Sequence, residues 1–356
     1  MALSDEQKKI LYHIVNDIKK KDKQQVTLGG YAGTGKSYLI GYLRNFFPEF
    51  AVCAFTGKAA NVLSKRAIPA STIHSLIYEP HQTAHGVEFT LKQDVECKGF
   101  IVDESSMISE EIYEDLAAFG YPMIFVGDHG QLEPVGTDFN MMWEPDYRLE
   151  TIHRNAGEIA RFAEWLRFGK SPFSFQGDNS QVMLKLPKDV TVSDRASADQ
   201  VICAYNATRV EVNAAIRKHL GLKGLVTEND KVICIQNSRL IGVFNGMQGY
   251  VEDLYTDEGR KCLDFRIGHS KDDVIHGIPY DKKQFGQEKS FVDDWYFGMP
   301  VPFDYAYCIT CHKAQGDEFD HVHVIEQKCN KWDHNRWAYT AASRARTFLT
   351  WELSPY

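Results

Sequence analysis

The segment Gly30–Ser37, with the sequence GYAGTGKS, constrains the fold of this chain more than any other. It follows VTLGG, an apolar run typical of a buried strand, and it opens KSYLIGYL, which has the apolar spacing of a helix. A strand, a glycine-rich turn and a helix in this order form a phosphate-binding loop, because glycines let backbone N–H groups surround a phosphate. The segment therefore predicts an α/β domain that binds a nucleotide.

Within this loop, Lys36 is expected to reach the β- and γ-phosphates of ATP, and Ser37 to bind Mg²⁺. ATP and Mg²⁺ are therefore the predicted cofactors. The remaining nucleotide-binding candidates belong to the loop or to the first turn of the helix: Gly30, Ala32, Gly33, Thr34, Gly35 and Tyr38.

Three further apolar runs before residue 150, FAVCAF, GFIVDE and MIFVGD, alternate with helical segments. Such runs are typical of a parallel sheet covered on both faces, where ligands bind at the carboxyl ends of the strands. GFIVDE ends in Asp103, a candidate metal ligand, and Glu104, a candidate base for the attacking water. A helix-capping cluster is the structural alternative for this acidic pair. MIFVGD leads to Gln131, whose amide can contact a phosphate and a water together.

The chain is long enough for two domains. The α/β pattern fills residues 1–150, apart from a polar hairpin insert at 78–95. It resumes over 151–221 and 301–356, where TIHRNAGEIARFAEWLRFG is expected to be a helix. Residues 222–300 contain successive strands joined by turns, which predicts a small all-β insertion.

Two arginines in the second α/β pattern are candidates for the active site. Arg154 lies in LETIHRN and Arg344 in YTAASRAR. Phosphoryl transfer benefits when an arginine from a separate element reaches the developing charge. Surface arginines on helices are the equally open alternative.

The stretch CITCHKAQG allows two metal interpretations. Cys308, Cys311 and His312 match the c-type haem pattern, and with His321 and His323 they could be drawn as a zinc site. However, the chain shows no signal-peptide core and no apolar run long enough to span a bilayer, so a cytoplasmic location with reduced thiols is expected. We therefore expect the cysteines to be buried free thiols, with neither haem nor zinc bound.

The order of the motifs resembles that of superfamily 1 DNA helicases, most closely the RecD and Dda-like branch, superfamily 1B. The blocks that carry the resemblance are SDEQKKIL, GYAGTGKS, AFTGKAANVLS, STIHS, VDESSM, GDHGQLEPV, IHRN, TCHKAQGDEFD and YTAASRAR. The resemblance implies an α/β fold with two RecA-like P-loop NTPase domains, each with a parallel sheet, and ATP between them. It also implies that 222–300 is an SH3-like domain and that 78–95 is a strand-separating pin.

The resemblance assigns roles to single residues as well. Gln7 is expected to contact adenine, and Gln315 and Gly316 are expected to lie towards the nucleotide. The catalytic set becomes Lys36, Glu104, Gln131, Arg154 and Arg344. The residues expected to contact DNA are mostly short donors and cations: Phe55, Thr56, Lys58, Thr72, His74, Asn206, Asn245, Thr310, His312 and Lys313.

Aromatic rings are candidates for stacking on DNA bases. Phe55 and Phe244 are the first two, and core packing is the favoured alternative for Phe55 because it ends an apolar strand. On the hairpin, Phe89, His81 or His85 could wedge against a fork, although a simple solvent-facing hairpin fits equally well.

The implied function is an ATP-dependent helicase that moves 5′ to 3′ on single-stranded DNA and unwinds duplex. Its expected partners are single-stranded and forked DNA and a single-strand-binding, replication or recombination protein, and a monomer suffices. The net charge of −8 excludes a uniformly basic surface but not a local basic groove. A DNA-stimulated clamp or remodeller is the first alternative. A P-loop kinase or metabolic ATPase is the second, and it leaves STIHS, GDHGQLEP and HKAQG unexplained.

Overall fold

The computed structural model describes residues 3–83, 86–133, 139–151, 157–236, 238, 241–267, 273–289, 299–330 and 332–354. The chain divides into two compact units, Met1–Arg167 and Phe168–Tyr356. The first contains a six-stranded sheet and a two-stranded hairpin, and the second contains a five-stranded sheet and a closed barrel. Across these described ranges, no helix is long and apolar enough to cross a membrane.

The first unit alternates strands and helices through most of its length. Its helices are α1 (Asp5–Lys20), α2 (Lys36–Phe46), α3 (Gly57–Lys65), α4 (Ile73–Ile77), α5 (Glu110–Ala117) and α6 (Glu158–Arg167). Its strands are β1 (Gln25–Gly30), β2 (Ala51–Ala54), β3 (Ala70–Thr72), β4 (Tyr78–Thr83), β5 (Gly86–Leu91), β6 (Phe100–Asp103), β7 (Met123–Gly127) and β8 (Tyr147–Leu149).

The sheet of the first unit has the strand order β3-β2-β6-β7-β1-β8, and every pair in it is parallel. One apolar cluster, which includes Ile14, Leu39 and Val126, covers one face together with α1 and α2. A second cluster, which includes Ile112 and Phe125, covers the other. This double covering explains why the central strands are almost continuously apolar.

Helix α1 is amphipathic and begins at a capping box. The Ser4 hydroxyl accepts from the Gln7 backbone N–H, and the Gln7 side chain accepts from the Ser4 backbone N–H. These reciprocal bonds satisfy two of the free donors at a helix start. The apolar residues at helical spacing, among them Ile10 and Ile14, then pack into the core.

The second unit contains a second parallel sheet and the barrel. Its helices are α7 (Val192–Ala196), α8 (Asn206–His219) and α9 (His334–Ala342). Its strands are β9 (Val182–Lys185), β10 (Gln200–Cys203), β11 (Lys231–Cys234), β12 (Gln248–Asp257), β13 (Arg260–Ile267), β14 (Val274–Asp281), β15 (Val301–Tyr305), β16 (Cys308–Thr310), β17 (Phe319–Ile325) and β18 (Ala345–Glu352).

The parallel sheet of this unit has the order β16-β10-β17-β18-β9. The barrel runs β11-β12-β13-β14-β15, and β15 closes it by pairing with both β14 and β11. Closure removes the exposed edges that an open sheet of this size would present. An apolar core that includes Phe265 and Phe303 fills the barrel.

The predicted fold class is confirmed: the chain has two parallel α/β sheets, a hairpin and a small all-β insert. Three details differ from the sequence-based expectation. Strand β15 belongs to the barrel, although 301–356 was assigned to the second α/β domain. Helix α6 groups with the first unit, although 151–221 was assigned to the second. This helix spans Glu158–Arg167 and is shorter than predicted. The exact domain boundaries stay a prediction.

Candidate functional site

The phosphate-binding loop joins β1 to α2 and has the geometry that its glycines predict. Gly33 and Gly35 have φ values of 82° and 87°, a left-handed conformation that favours glycine. A Cβ on Gly30 would lie 2.7 Å from the Thr34 hydroxyl oxygen. The N-cap of α2 is Gly35, which has no side chain to bond the first N–H groups of the helix, and this suits a phosphate at that end. The loop therefore fits a nucleotide phosphate, with Ala32 inside it and Ser37 and Tyr38 in the first turn of α2.

The ammonium of Lys36 lies inside the loop. It donates to the carbonyl oxygens of Gly30, at 2.8 Å, and Tyr31, at 3.1 Å. An oxygen of the buried Asp128 carboxylate lies 3.9 Å from the same nitrogen. The Gln131 side-chain amide donates to that carboxylate oxygen at 3.1 Å. The lysine and the glutamine therefore share one carboxylate, which links two of the predicted catalytic residues.

The acidic pair lies where β6 ends. Asp103 is buried, and burial together with the charge of Glu104 raises the pKa of Asp103 to about 7. Glu104 has a φ of 54°, and its N–H donates to the Asp103 carboxylate at 2.9 Å. A non-glycine residue in the left-handed region is uncommon and is concentrated at functional sites. A buried carboxylate with a raised pKa is also one that a cation would stabilise, so Asp103 fits the predicted Mg²⁺ contact, and the contact predicted for Ser37 stays a prediction.

Gln7 lies beside the loop, where both ends of its amide are used within the protein. Its Nε2 donates to the Thr34 carbonyl at 3.0 Å, and its Oε1 accepts from the Ser4 backbone N–H at 3.1 Å. Gln7 therefore supports the phosphate loop in this structure. Its predicted contact with adenine stays a prediction.

The first unit also contains a packed group of aromatic and cationic side chains that the sequence motifs did not indicate. The ring of Tyr31 packs against His129 with centroids 4.2 Å apart, and the guanidinium of Arg167 lies 4.1 Å from the Tyr31 centroid. Burial lowers the pKa of His129 to about 4, so the imidazole is neutral at pH 7. Tyr31 follows β1, His129 follows β7 and Arg167 ends α6, so no local sequence pattern signals their contact.

The predicted DNA-binding residues of the first unit follow β2, which pairs with β6, and β3, which pairs with β2. Phe55 and Thr56 come after β2, and Thr72 ends β3. Thr56 and Thr72 cap α3 and α4 through their hydroxyls, and the ring of His74 lies 5.4 Å from that of Tyr78. Phe55 packs partly against the apolar core. The candidate phosphate-binding residues lie where β1, β6 and β7 end, and the candidate DNA-binding residues lie where β2 and β3 end. Because the strands are parallel, both groups lie at the carboxyl ends of the strands of one sheet.

In the second unit, the predicted DNA-binding residues follow two neighbouring strands. Thr310 ends β16, and it is paired in register with Cys203, the last residue of β10. His312 and Lys313 lie in the turn after β16, and Asn206 begins α8 after β10. The strand pairing therefore brings two separate segments of the sequence to one edge.

A barrel loop reaches the same turn. The Lys313 ammonium donates to the Asn245 side-chain carbonyl at 2.9 Å. Asn245 is exposed, and its neighbour Phe244 is half-buried. Burial lowers the pKa of His312, and its ring lies 5.6 Å from that of Trp332, a residue that the motif analysis missed.

Arg344 is buried and hydrogen-bonded within the second unit. Its guanidinium donates to the carbonyls of Thr340 and Asp317, at 3.0 and 3.1 Å, and to the Ser343 hydroxyl at 2.9 Å. The Asp317 carboxylate in turn accepts from the Gln248 amide of the barrel at 3.0 Å. The arginine therefore has a clear structural role, and its predicted catalytic role stays a prediction.

The turn that contains Gln315 and Gly316, shortly after Cys311, has the geometry expected of a tight loop. Gln315 is buried, and Gly316 has a φ of 77°. Cys308 and Cys311 are buried, and burial raises the pKa of both thiols. In the part of the chain that the structure describes, no group of three or more potential metal ligands comes together.

Three of the predicted positions lie outside the described residues. These are Arg154, His85 and the side chain of Lys58. On the hairpin, Phe89 is exposed, as the wedge prediction requires, and His81 is exposed as well.

Comparison with known families identifies the chain. An AAA-domain model matches residues 2–185, and a model of the UvrD-like helicase C-terminal domain matches residues 305–350. The chain belongs to superfamily 1B of the helicase superfamilies. The first match covers the phosphate loop, the acidic pair and Gln131, and the second covers the turn with His312 and the helix before Arg344.

Two curated proteins resemble this superfamily 1B chain. The ATP-dependent DNA helicase dda of Enterobacteria phage T4 is 26% identical over 249 residues, which cover 60% of this chain and 57% of that protein. A probable conjugal transfer protein TraA of Sinorhizobium fredii is 24% identical over 370 residues, which cover 91% of this chain and 30% of that protein. The chain thus spans little more than half of the first relative and less than a third of the second.

Solved helicase structures share the fold over almost the whole chain. Bacteroides Pif1 bound to ssDNA superposes with a TM-score of 0.61 at 19% identity and covers 99% of this chain and 92% of that one. Pif1 helicase from Candida albicans gives a TM-score of 0.56 at 20% identity and covers 99% and 94%. At this level of identity the likeness concerns the fold.

Proposed function

We propose that the protein is an ATP-dependent helicase that moves 5′ to 3′ along single-stranded DNA and unwinds duplex DNA. The observation that carries this proposal is the shared sheet edge of the first unit. The phosphate loop, the acidic pair and Gln131 follow β1, β6 and β7, and the DNA candidates follow the adjacent strands β2 and β3. A small movement at the nucleotide can therefore be passed to the DNA through neighbouring strands.

The side chains of the loop support nucleotide hydrolysis. Lys36 now donates to two loop carbonyls, and a phosphate entering the loop would take over those hydrogen bonds. Glu104 would orient the attacking water and accept its proton. Mg²⁺, held by Ser37 and Asp103, would supply charge neutralisation for the phosphates.

Gln131 is the residue that would report the state of the nucleotide. Its amide is bound to Asp128, and the same carboxylate oxygen lies 3.9 Å from Lys36. When Lys36 moves to a phosphate, its interaction with Asp128 changes. The hydrogen bond that Asp128 accepts from Gln131 then changes as well. We therefore assign Gln131 to coupling the phosphate to the neighbouring strands.

The substrates are inferred from the relatives. Solved Pif1 structures describe DNA unwinding at forked dsDNA and binding to ssDNA, and the phage T4 relative is an ATP-dependent DNA helicase. These names support single-stranded and forked DNA as substrates of this chain. The 5′ to 3′ direction rests on the family resemblance.

A DNA-stimulated clamp or remodeller without unwinding is the second candidate. The short hairpin favours it, since β4 and β5 have only six residues each. A hairpin of this length offers a small surface to a fork, although Phe89 is exposed on it.

A duplex with a single-stranded tail at either its 5′ or its 3′ end tests the proposal. We expect ATP to drive strand separation only for the duplex that carries the 5′ tail. Separation of only the duplex that carries the 3′ tail would contradict the proposed 5′ to 3′ direction. Stimulated ATP hydrolysis without separation of either duplex would favour the clamp.

A further inference from the structure

An aromatic cluster in the second unit lies outside the predicted roles. The rings of Tyr205 and Trp332 have centroids 5.8 Å apart, with planes inclined by 45°. The ring of His312 meets Trp332 edge-on, with centroids 5.6 Å apart and planes inclined by 72°. Tyr205 follows β10, whereas Trp332 lies in the connection from β17 to α9.

This cluster lies beside predicted DNA contacts on two sides. Asn206 follows Tyr205 and is exposed at the start of α8. Lys313 follows His312, and its ammonium holds the exposed Asn245 of the barrel loop. Polar groups and a cation suited to a nucleic-acid backbone therefore flank a group of flat rings, as in single-strand-binding grooves.

The two rings are held in place but remain accessible. Tyr205 is 38% exposed, and its hydroxyl donates to the Lys328 carbonyl at 2.6 Å. Trp332 is half-buried, and its Nε1–H has no acceptor among the residues that the structure describes.

We propose that Tyr205 and Trp332 form a platform on which a base of single-stranded DNA stacks. The inference rests on the proposed function, because it requires a DNA strand to pass this edge of the second sheet. Every base has a flat π-face, so such a platform binds any sequence, as a translocating protein requires. Stacking would complement the backbone contacts expected from Asn206 and Lys313.

The test compares a short oligo-dT with an abasic oligomer of the same length, measured by fluorescence anisotropy with the full chain. For the wild type, removing the bases should weaken binding. Trp332→Ala should lower the ratio of the affinity for oligo-dT to the affinity for the abasic oligomer by about tenfold, within the range for one stacked base. It should leave binding of the abasic oligomer and ATP hydrolysis without DNA unchanged. Trp332→Phe should retain most of the ratio.

Two controls separate stacking from structure. Trp143→Ala removes another exposed indole, in the first unit, and should leave the ratio unchanged. If Trp332→Ala does not fold, Tyr205→Leu and Tyr205→Phe take its place. The leucine variant should lose base dependence, and the phenylalanine variant, which lacks only the hydroxyl, should retain it.

The outcomes also distinguish this inference from the proposed function. If the variants weaken binding of both oligomers equally, the rings are structural and the platform is wrong. If DNA stimulates ATP hydrolysis while the affinity ratio of Trp332→Ala equals that of the wild type, only the platform fails. If DNA neither binds the wild type nor affects its ATP hydrolysis, both ideas fail.

Discussion

Lys36 illustrates how one residue can be held ready for its ligand. Its ammonium is bound to the carbonyls of Gly30 and Tyr31, so the charge stays inside the loop. A bound phosphate would replace neutral acceptors by a charged one, and charge-assisted hydrogen bonds are roughly twice as strong. The lysine is therefore placed to favour the triphosphate over an empty loop.

Replacing this lysine provides the first prediction. Lys36→Ala should lower ATP turnover by about 100-fold or more, because a preorganised donor to the developing charge is lost. Binding of single-stranded DNA, measured by anisotropy, should change little. Lys8→Ala, which removes a lysine paired with Asp5 on the exposed face of α1, is the matched control. Normal turnover by Lys36→Ala would show that the loop does not bind the reacting phosphate.

Removing the Arg344 side chain should have two effects, one on turnover and one on stability. Arg344→Ala should reduce turnover and also destabilise the second unit by about 1–3 kcal/mol, since buried carbonyls lose their donor. Urea unfolding and steady-state hydrolysis measure the two effects separately. Arg346→Ala, which breaks only an exposed ion pair with Asp320, should leave both unchanged. A destabilised variant with full turnover would remove Arg344 from the catalytic set.

His129 should make the protein sensitive to acid. Its pKa is lowered to about 4 in the folded chain, below the unfolded value near 6.5, so stability is lost as the pH falls through this interval. His129→Asn should therefore lose about 2 kcal/mol less than the wild type between pH 7 and pH 5, as measured by urea midpoints. An unchanged loss would show that this imidazole titrates normally.

Residue types with a local signature could be predicted from the sequence, and long-range contacts could not. The phosphate loop and the acidic pair each occupy a few consecutive positions after a strand. By contrast, Tyr31 meets Arg167 across more than one hundred residues, and Trp332 meets Tyr205 in the same way. Such pairs exist only because the sheets bring distant segments together.

At the scale of elements, the barrel depends on close contact between strands. A Cβ on Gly249 would lie 2.2 Å from the Arg266 carbonyl oxygen and 2.8 Å from the Phe265 ring. Gly249→Ala should therefore destabilise the second unit by about 1–3 kcal/mol or more, because the backbone must move. Thermal unfolding measures this change.

Gly41 in α2 is the matched position for this substitution. Among the described residues, a Cβ there would meet only side-chain carbons of Ile68, the nearest at 3.3 Å and none of them backbone. Gly41→Ala should be neutral or stabilising, by up to about 1 kcal/mol, because alanine favours a helix. Equal effects of the two substitutions would contradict the strand contact.

The elements that the sequence did not predict are the short or polar ones. Strands β3 and β8 have three residues each, so their own pattern is too brief to identify them. Their backbone bonds come from pairing with β2 and β1, which is a tertiary effect. The segment that forms β15 was assigned with 301–356 to the second α/β domain, yet its apolar residues help fill the barrel.

For the whole molecule, a negative net charge has to be reconciled with the proposed binding of DNA, which is itself negatively charged. The net charge of −8 opposes general attraction to DNA, so the proposed binding would depend on local groups such as Lys313 and the rings of Tyr205 and Trp332. The two-sheet architecture was predictable because central parallel strands such as β6, β7 and β10 are buried and largely apolar. The positions at which the chain changes from sheet to barrel were not, since they depend on which strand closes the barrel.

The rate of ATP hydrolysis with and without single-stranded DNA tests the central claim most directly. If nucleotide chemistry is coupled to a bound strand, saturating oligo-dT should raise turnover at least about fivefold, the lower end of typical coupling between sites. Glu104→Gln should show no such rise, because the residue expected to activate water has lost its carboxylate. Equal wild-type rates in the presence and absence of DNA would contradict the account.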